Sequence, residues 1–170
     1  MIDTPIISNK LQYYLAGSID CRLTLTCMRN WISETYDCEC TSEWLDAGFV
    51  SLKNAASMDY KCIDKCDIMI ATYPTRLGSS SEMGYALAKK IPIIYLVDKK
   101  IMGNLNDVNN DTGFSALPVG ALYSWTNDDT KYSQITPGFV VNTVDELVKC
   151  LRFIYHILTI SKPKNKCRIN

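Results

Sequence analysis

The chain has 170 residues, of which 47% are hydrophobic, and its 18 basic side chains balance 18 acidic ones. This composition is typical of a globular protein, most simply one domain over residues 1–170, and it argues against disorder. A net charge of zero offers no electrostatic attraction to nucleic acid or to a membrane surface, so we expect neither as a partner.

The first half of the chain alternates short apolar runs with helical patterns. Residues 12–16 ("QYYLA") predict a buried strand that ends at Gly17, and apolar positions three and four apart predict a helix over residues 21–36. A second strand is expected near residues 38–45, followed by a loop around Gly48 and a short helix over residues 58–66. Residues 67–73 ("DIMIATY") then predict a buried strand that Pro74 ends.

The second half continues the alternation. The stretch "RLGSSSEMGYALAKK" (76–90) predicts a loop and a helix, and residues 91–97 ("IPIIYLV") predict a strand rich in β-branched side chains. Residues 98–120 show no clear period and predict a loop, whereas "ALYSW" and "PGFVV" suggest two late strands. Thr143 and Glu146 form a capping-box string that opens a long final helix. The whole pattern predicts a three-layer α/β fold with a mostly parallel sheet, flavodoxin-like or Rossmann-like.

Targeting signals, cysteines and cofactor motifs narrow the class further. No run of about 18 apolar residues predicts a transmembrane helix, and the first ten residues lack a signal-peptide pattern, so we expect a cytoplasmic protein. Its eight cysteines are then expected to be reduced thiols. Their spacing matches no common zinc pattern and His156 is the only histidine, so we predict no metal site. The loop after the first strand carries neither a dinucleotide fingerprint nor a phosphate-binding motif, so no cofactor is predicted.

The ends of two strands are the expected place for chemistry, because open α/β sheets bind ligands beyond the carboxyl ends of their strands. These are the strand at residues 12–16 and the strand at residues 67–73. The loop after the second one leads to Glu82, which has two interpretations. In a capping box, Ser79 caps the helix and Glu82 reaches back to the Ser79 N–H. Alternatively, Glu82 is a nucleophile on the first turn of the helix, where the helix dipole stabilises an ionised carboxylate.

A nucleophilic carboxylate is what glycosidic cleavage with retention of configuration requires, together with a second group that protonates the departing atom. Asp59, Asp64 and Asp67 are candidates for that second group. Asp64 and Asp67 lie at a helix end and a strand start, which favours solvation or capping. Asp59 lies at the opening of its helix, where an acid that only interacts with the helix dipole is equally expected.

Three ordered blocks, "YYLAGSI", "MDYKCIDKCDIMIATY" and "GSSSEMGYALAKK", resemble the nucleoside 2-deoxyribosyltransferase superfamily, which includes 2'-deoxynucleoside 5'-monophosphate N-hydrolases. The resemblance spans residues 13–97. It implies a flavodoxin-like or Rossmann-like fold and a role in purine and pyrimidine salvage. The activity it implies is cleavage of the N-glycosidic bond of 2'-deoxynucleosides through a glutamyl–deoxyribose intermediate. The deoxyribose then passes to another nucleobase or to water.

The same resemblance assigns roles to individual residues. Glu82 matches the nucleophile, Asp59 matches the aspartate that handles the base and its proton, and Tyr14 matches a tyrosine close to the nucleophile. Gly17 and Ser18 match first-loop residues beside the sugar or phosphate.

Further implications concern the third block and the assembly. Gly78 and Ser80 in that block are additional candidates for substrate binding. The family resemblance also implies a homo-oligomer whose active site a neighbouring subunit completes, with residues 121–125 and Asn127 as candidates for those contacts.

Two positions depart from the family pattern. Arg76 stands where many transferases carry an acid near the sugar hydroxyls. Asp20 follows the first-loop Gly-Ser-Ile, where the monophosphate hydrolases tend to carry an arginine, and Arg22 lies two residues on. Arg76 suits a 5'-phosphate or is a solvated loop residue, whereas Asp20 would repel a phosphate. A nucleoside and a nucleoside monophosphate therefore both stay open as the small-molecule substrate.

Two other functions compete with this hypothesis. A ribonucleotide phosphoribohydrolase also sets a glutamate at a helix start after a glycine-rich turn, but the proline-glycine-glycine turn expected there is missing. A non-catalytic nucleotide-binding or sensing module would have no need of Tyr14, Asp59 and Glu82 together.

Overall fold

The computed structural model describes residues 10–47, 51–73, 76–97, 123–124 and 138–161. These ranges contain six strands: β1 Leu11–Ala16, β2 Cys38–Cys40, β3 Ile68–Thr72, β4 Ile93–Leu96, β5 Tyr123–Ser124 and β6 Gly138–Val141. They also contain four α-helices, α1 Arg22–Tyr36, α2 Leu52–Lys65, α3 Leu77–Ala88 and α4 Val144–Ser161, and short 3₁₀ turns at Ile19–Cys21 and Glu43–Leu45.

The strands form one sheet in the order β2-β1-β3-β4-β6-β5, and every neighbouring pair is parallel. In the register of β1 with β3, Tyr14 lies opposite Met69 and Ala16 lies opposite Ala71. The chain moves outward from β1 to β2 and then crosses back to β3 on the other side of β1. The carboxyl ends of β1 and β3 therefore flank a topological switch point, where sheets of this kind bind ligands.

Helices cover both faces of the sheet. Successive side chains of a strand point to opposite faces, so neighbouring residues of β1 pack in different cores. Tyr13 packs in the core formed with α1 and α4, and Tyr14 packs in the core formed with α2 and α3. Both tyrosines have no exposed surface. The predicted three-layer α/β fold with a parallel sheet is thus confirmed, and α2 and α3 lie on the same face as Tyr14.

Three predicted boundaries were wrong. The second strand ends at Cys40 rather than near residue 45, because side chains replace the backbone ladder: Ser42 Oγ accepts the Leu15 N–H at 2.6 Å, and the Trp44 indole donates to the Leu15 carbonyl at 2.9 Å. Helix α2 begins six residues earlier than predicted, after Ser51, whose side chain accepts the Asn54 N–H at 3.4 Å. Helix α3 also begins early, with consequences for Glu82 described below.

Several sequence predictions fall partly or wholly outside the described residues, namely the loops around Gly48 and over residues 98–120 and the turn at Pro74. In the described part of the chain, no helix is both long and apolar enough to cross a bilayer. The same residues include no group of three metal-ligating side chains close enough to hold an ion. Their seven cysteines are free thiols.

Candidate active site

Tyr14, Asp59 and Glu82 come together from three elements: the middle of β1, the third turn of α2 and the second turn of α3. The Tyr14 hydroxyl donates a hydrogen bond to Glu82 Oε1 at 3.2 Å. The Asp59 carboxyl lies close enough to Glu82 for its charge to raise the pKa of Glu82. The three residues that the family resemblance singles out for chemistry are therefore direct neighbours, although Glu82 is 68 positions from Tyr14 in the chain.

Glu82 does not cap its helix, and the capping interpretation was wrong. Helix α3 begins at Leu77, so Ser79 lies in the first turn rather than before it. The Ser79 hydroxyl accepts the Arg76 N–H at 3.0 Å and donates to the Arg76 carbonyl at 3.2 Å. Because Ser79 supplies the link to the N-cap, Glu82 is left in the second turn and its carboxyl lies against Tyr14. Its expected place in the first turn was also wrong, and the helix dipole is weak that far from the end.

Asp59 was expected at the opening of its helix, which was wrong as well. With α2 starting at Leu52, Asp59 is its eighth residue and lies too far from the N-terminus to interact strongly with the dipole. Its Oδ1 atom is buried and has no hydrogen-bond partner. A buried acceptor without a donor costs about 1–3 kcal/mol, which a bound ligand with a suitably placed N–H or O–H would recover.

The pKa values of this cluster are shifted by burial and by the two like charges. Burial, and then the negative charge of Asp59, raise the pKa of Glu82 to about 7. Burial also raises the pKa of Asp59, although its neighbours Tyr14 and Glu82 act in the opposite direction. The pKa of Tyr14 is raised as well, by burial and by the charges of Glu82 and Asp59, so its hydroxyl stays protonated and acts as a donor. Ionisation of one carboxyl therefore disfavours ionisation of the other, and the pair loses its two protons in separate steps.

Gly17 and Ser18, in the loop after β1, both have structural roles. A Cβ atom at Gly17 would lie 2.6 Å from Thr72 Oγ1 and 2.8 Å from Leu25 Cδ1, so β1, β3 and α1 meet there without room for a side chain. Ser18 is buried, and its hydroxyl accepts the Asp20 N–H at 3.3 Å to cap the 3₁₀ turn. These contacts hold the loop at the carboxyl end of β1.

Asp20 and Arg76 form an ion pair. From the sequence, Arg76 was expected to suit a 5'-phosphate and Asp20 to repel one. Arg76 Nη2 lies 3.3 Å from Asp20 Oδ2, and both side chains are exposed, at 68% and 70%. An exposed pair of this kind stabilises the fold by only about 0–1 kcal/mol, so it is easily opened. Arg22 is bound elsewhere: its guanidinium donates to the carbonyls of Leu45 and Ala47 at 2.7 and 2.6 Å.

The remaining candidate site residues are exposed or form contacts that stabilise the fold. Gly78 is exposed with open space around it, and Ser80 is partly buried in the first turn of α3. Asp64 is exposed and bonded to Tyr85 and Lys89 on the outside of the helices. Asp67 accepts the Gln12 N–H at 2.8 Å at the start of β3. The acid whose charge raises the pKa of Glu82 is Asp59.

Sequence reasoning overlooked Tyr60, Tyr85 and Lys89, which join α2 to α3 beside the acid pair. The missing signal was helical spacing, because Tyr85 and Lys89 stand three and seven residues after Glu82 and so share its helix face. The proposed subunit contacts at residues 121–125 and Asn127 lie outside the described residues, apart from the backbone of β5.

Two grooves lined by described residues lie away from this cluster. One of about 510 Å³ borders β2 and α1, and one of about 310 Å³ borders the outer side of α2. Neither is lined by Tyr14, Asp59 or Glu82.

Comparison with known proteins gives little beyond the fold. No protein-family model matches the chain, and no curated protein matches it. Among solved structures, one that matches is the Clostridium botulinum CMP N-glycosidase BcmB, at 19% sequence identity and a TM-score of 0.48. The match covers 84% of this chain and 98% of that one. A likeness at this level assigns neither a family nor an activity.

Proposed function

We propose that this chain cleaves the N-glycosidic bond of 2'-deoxynucleosides through a glutamyl–deoxyribose intermediate on Glu82, and passes the deoxyribose to another nucleobase or to water. The observation that carries the proposal is the pair of neighbouring carboxyls, Asp59 and Glu82, with the buried Tyr14 hydroxyl bonded to Glu82. The substrate class comes from the three sequence blocks that resemble the deoxyribosyltransferases.

A pair of carboxyls that holds one proton contains both groups that this reaction needs. Glu82 transfers its proton to Asp59 and attacks C1' of the sugar, so a bond forms between Glu82 Oε and C1'. The bond between C1' and the base nitrogen breaks, and its electron pair stays with the base. Asp59 then donates the proton to the departing base, which leaves as a neutral molecule.

The second half of the reaction reverses the roles. Asp59, now ionised, takes a proton from the acceptor, either an N–H of another nucleobase or a water molecule. The acceptor attacks C1' and releases the Glu82 carboxylate. The same two residues therefore serve transfer and hydrolysis, and access of water to the intermediate decides between them.

Tyr14 supports the ionised form of Glu82. Its hydroxyl bonds to Oε1 and lowers the pKa of Glu82 against the effect of burial. By occupying one carboxylate oxygen it also fixes the direction of the other. Tyr14 is thus a positioning donor rather than an acid, since it does not ionise near neutral pH.

The test is base release from a panel of deoxynucleosides and their 5'-monophosphates, with and without a second nucleobase, followed by liquid chromatography. Acid quenching during turnover and intact-mass measurement should reveal a species heavier by one deoxyribosyl group, and Glu82→Gln should lack it. Binding of substrates without release of base would instead identify a nucleotide-binding or sensing module.

A second question is whether the substrate carries a phosphate at its 5' position. If it does, the alternative function is that of a 2'-deoxynucleoside 5'-monophosphate N-hydrolase. The observation that favours it is the exposed Arg76 guanidinium at the start of α3, where phosphates often bind. Against it, Arg76 already pairs with Asp20, and Arg22 is committed to two backbone carbonyls. A phosphate would have to displace a carboxylate, so we favour the nucleoside.

The proposal includes a homo-oligomer, as the family resemblance implies. Three large aliphatic side chains next to or near the Asp20–Arg76 pair in the chain are strongly exposed: Ile19 at 72%, Leu23 at 84% and Leu77 at 90%. A patch with one acid and one base bordered by apolar groups can be self-complementary about a two-fold axis. Light scattering at micromolar concentration should give a mass above that of one chain, and Leu77→Arg should lower it. A fully active monomer would contradict this part of the proposal.

A further inference from the structure

Three pairs of side chains run along the contact between α2 and α3. Both helices lie on one face of the sheet and run in the same direction, because each connects two parallel strands. From the site outward the pairs are Asp59 with Glu82, Tyr60 with Tyr85, and Asp64 with Lys89. We call the second and third pairs the helix clamp.

The aromatic pair of the clamp lies next to the acids. The rings of Tyr60 and Tyr85 have centroids 4.6 Å apart with an angle of 42° between their planes. Such aromatic pairs contribute attraction beyond the area they bury. The ammonium group of Lys89 lies 5.1 Å from the centroid of the Tyr85 ring, which adds a cation–π contact.

The outer pair ties α2 to α3 through two bonds to one carboxylate. Asp64 Oδ1 accepts the Tyr85 hydroxyl at 3.0 Å and lies 2.9 Å from Lys89 Nζ. Lys89 and Tyr85 lower the pKa of Asp64, so it is ionised at neutral pH. Because one carboxylate of α2 binds two side chains of α3, the contact fixes the spacing of the helices better than a lone surface ion pair would.

The innermost pair opposes this attraction. Asp59 and Glu82 repel each other whenever both are ionised, and that repulsion pushes the two helices apart. We propose that Tyr60, Asp64, Tyr85 and Lys89 are positioning residues that hold α2 and α3 at the separation which brings the carboxyls of Asp59 and Glu82 together. The inference rests on the proposed function, since it explains how that acid pair is kept assembled.

Helix separation has a measurable consequence for Glu82. The groups that face its carboxyl are Tyr14 from β1 and Asp59 from α2. Widening the gap weakens the interaction with Asp59, and at separations near 4–5 Å each added ångström lowers the pKa of Glu82 by roughly half a unit. The state with one shared proton would then cover a narrower pH range.

The first experiment removes the outer pair without changing the net charge, with the double variant Asp64→Asn/Lys89→Gln. The pKa of Glu82 is measured by carbon NMR titration of its labelled carboxyl, and separately from the acid limb of the pH–rate profile. Both should fall by roughly half a unit or more. The matched control is Glu43→Gln/Lys65→Gln, which removes an exposed pair at 3.6 Å that also starts from α2 but does not reach α3. That control should leave the pKa of Glu82 unchanged.

Two further variants separate positioning from a direct effect of charge. The exchanged pair Asp64→Lys/Lys89→Asp restores the attraction with the charges reversed, so it should bring the pKa of Glu82 back toward the wild-type value. In an Asp59→Asn background, removing the outer pair should no longer change the pKa of Glu82, because the repelling partner is gone. If the outer-pair variant is poorly folded, Tyr85→Phe removes only the hydroxyl bond to Asp64 and should shift the pKa in the same direction by less.

An unchanged Glu82 pKa in the outer-pair variant would overturn the proposal, and so would an equal shift in the Asp59→Asn background. The titration needs no turnover. A wild-type protein without base release would therefore refute the proposed function, while the NMR result would still decide whether the clamp sets the carboxyl separation.

Discussion

Glu82 and Glu146 stand in the same local string, a hydroxyl residue followed three positions later by a glutamate, yet the two carboxyls have different tasks. At α4, Thr143 Oγ1 accepts the Glu146 N–H at 3.2 Å, and Glu146 Oε2 accepts the Asn142 N–H at 2.6 Å. At α3, Ser79 bonds back to Arg76, and Glu82 Oε1 accepts a hydrogen bond from the Tyr14 hydroxyl. Helix α3 starts three residues earlier relative to the string than α4 does, and that offset places the Glu82 carboxyl against Tyr14 instead of at the helix end.

The offset also changes what surrounds the carboxyl. Glu146 is partly exposed at the start of α4, where its carboxyl accepts the Asn142 N–H just before the helix. Glu82 lies over β1 against a second acid, and its pKa is raised to about 7 by burial and by Asp59. A local string therefore identifies a glutamate near a helix start, but the surrounding fold decides whether it stabilises the helix or does chemistry.

The largest expected effect separates these two glutamates directly. Glu82→Ala should reduce base release by about 10⁴-fold or more, because the proposed covalent intermediate forms on Glu82. Glu146→Ala should leave turnover intact and cost about 0.5–2 kcal/mol of stability as a lost cap. Turnover is measured by liquid chromatography and stability by urea unfolding. Wild-type release of base by Glu82→Ala would refute the mechanism.

The next effect concerns the partner that Glu82 has and Glu146 lacks. Asp59→Asn should lower the rate of base release by roughly 10²–10⁴-fold, since an amide cannot carry the proton to the base. It should also lower the pKa of Glu82, because the like charge beside it disappears. Substrate affinity and rate are measured together. A loss of affinity with an unchanged rate for bound substrate would make Asp59 a binding residue only.

The raised pKa of Glu82 also predicts a pH dependence of folding. Because the pKa of Glu82 is raised to about 7, the folded protein holds this proton up to about pH 7, whereas the unfolded chain releases it near the ordinary glutamate pKa of 4.5. Stability from this group is present below pH 4.5 and is lost as the pH rises to about 7, by about 3 kcal/mol. Glu82→Gln should remove most of that loss, so its unfolding free energy should exceed the wild-type value near pH 8. Parallel curves for the two proteins between pH 4.5 and 8 would show that Glu82 is not the source.

The smallest effects come from the residues at the N-caps of the two helices. Arg76→Ala removes no side-chain cap, so it should change stability little, whereas Thr143→Ala should cost about 1 kcal/mol.

If Arg76 binds a 5'-phosphate, its loss weakens use of monophosphates by roughly 1.5–3 kcal/mol and spares nucleosides. If Asp20 faces a 5'-hydroxyl, Asp20→Ala impairs nucleosides and eases monophosphate entry. Comparing kcat/KM for both substrates in both variants distinguishes these outcomes, and equal use throughout would exclude both residues as readers of the 5' end.

The sequence by itself determined the order of strands and helices over the described residues, because a period of two or of 3.6 records which face each segment buries. The run of buried residues in β3 and the cap of α4 at Thr143 were both predicted from a few neighbouring positions. The resemblance of three sequence blocks to a known family also singled out Tyr14, Asp59 and Glu82 as neighbours in one site.

The tertiary structure alone decided where α2 and α3 begin and how far the pKa values of Asp59 and Glu82 are shifted. Ser79 rather than Glu82 links back to the N-cap because Ser79 is buried where the early start of α3 places it. The pKa of Glu82 depends on burial, on Asp59 from another helix and on Tyr14, which lies 68 positions away in the chain. A pKa is set by the distances between groups and by their access to water, and both quantities exist only once those elements are packed together.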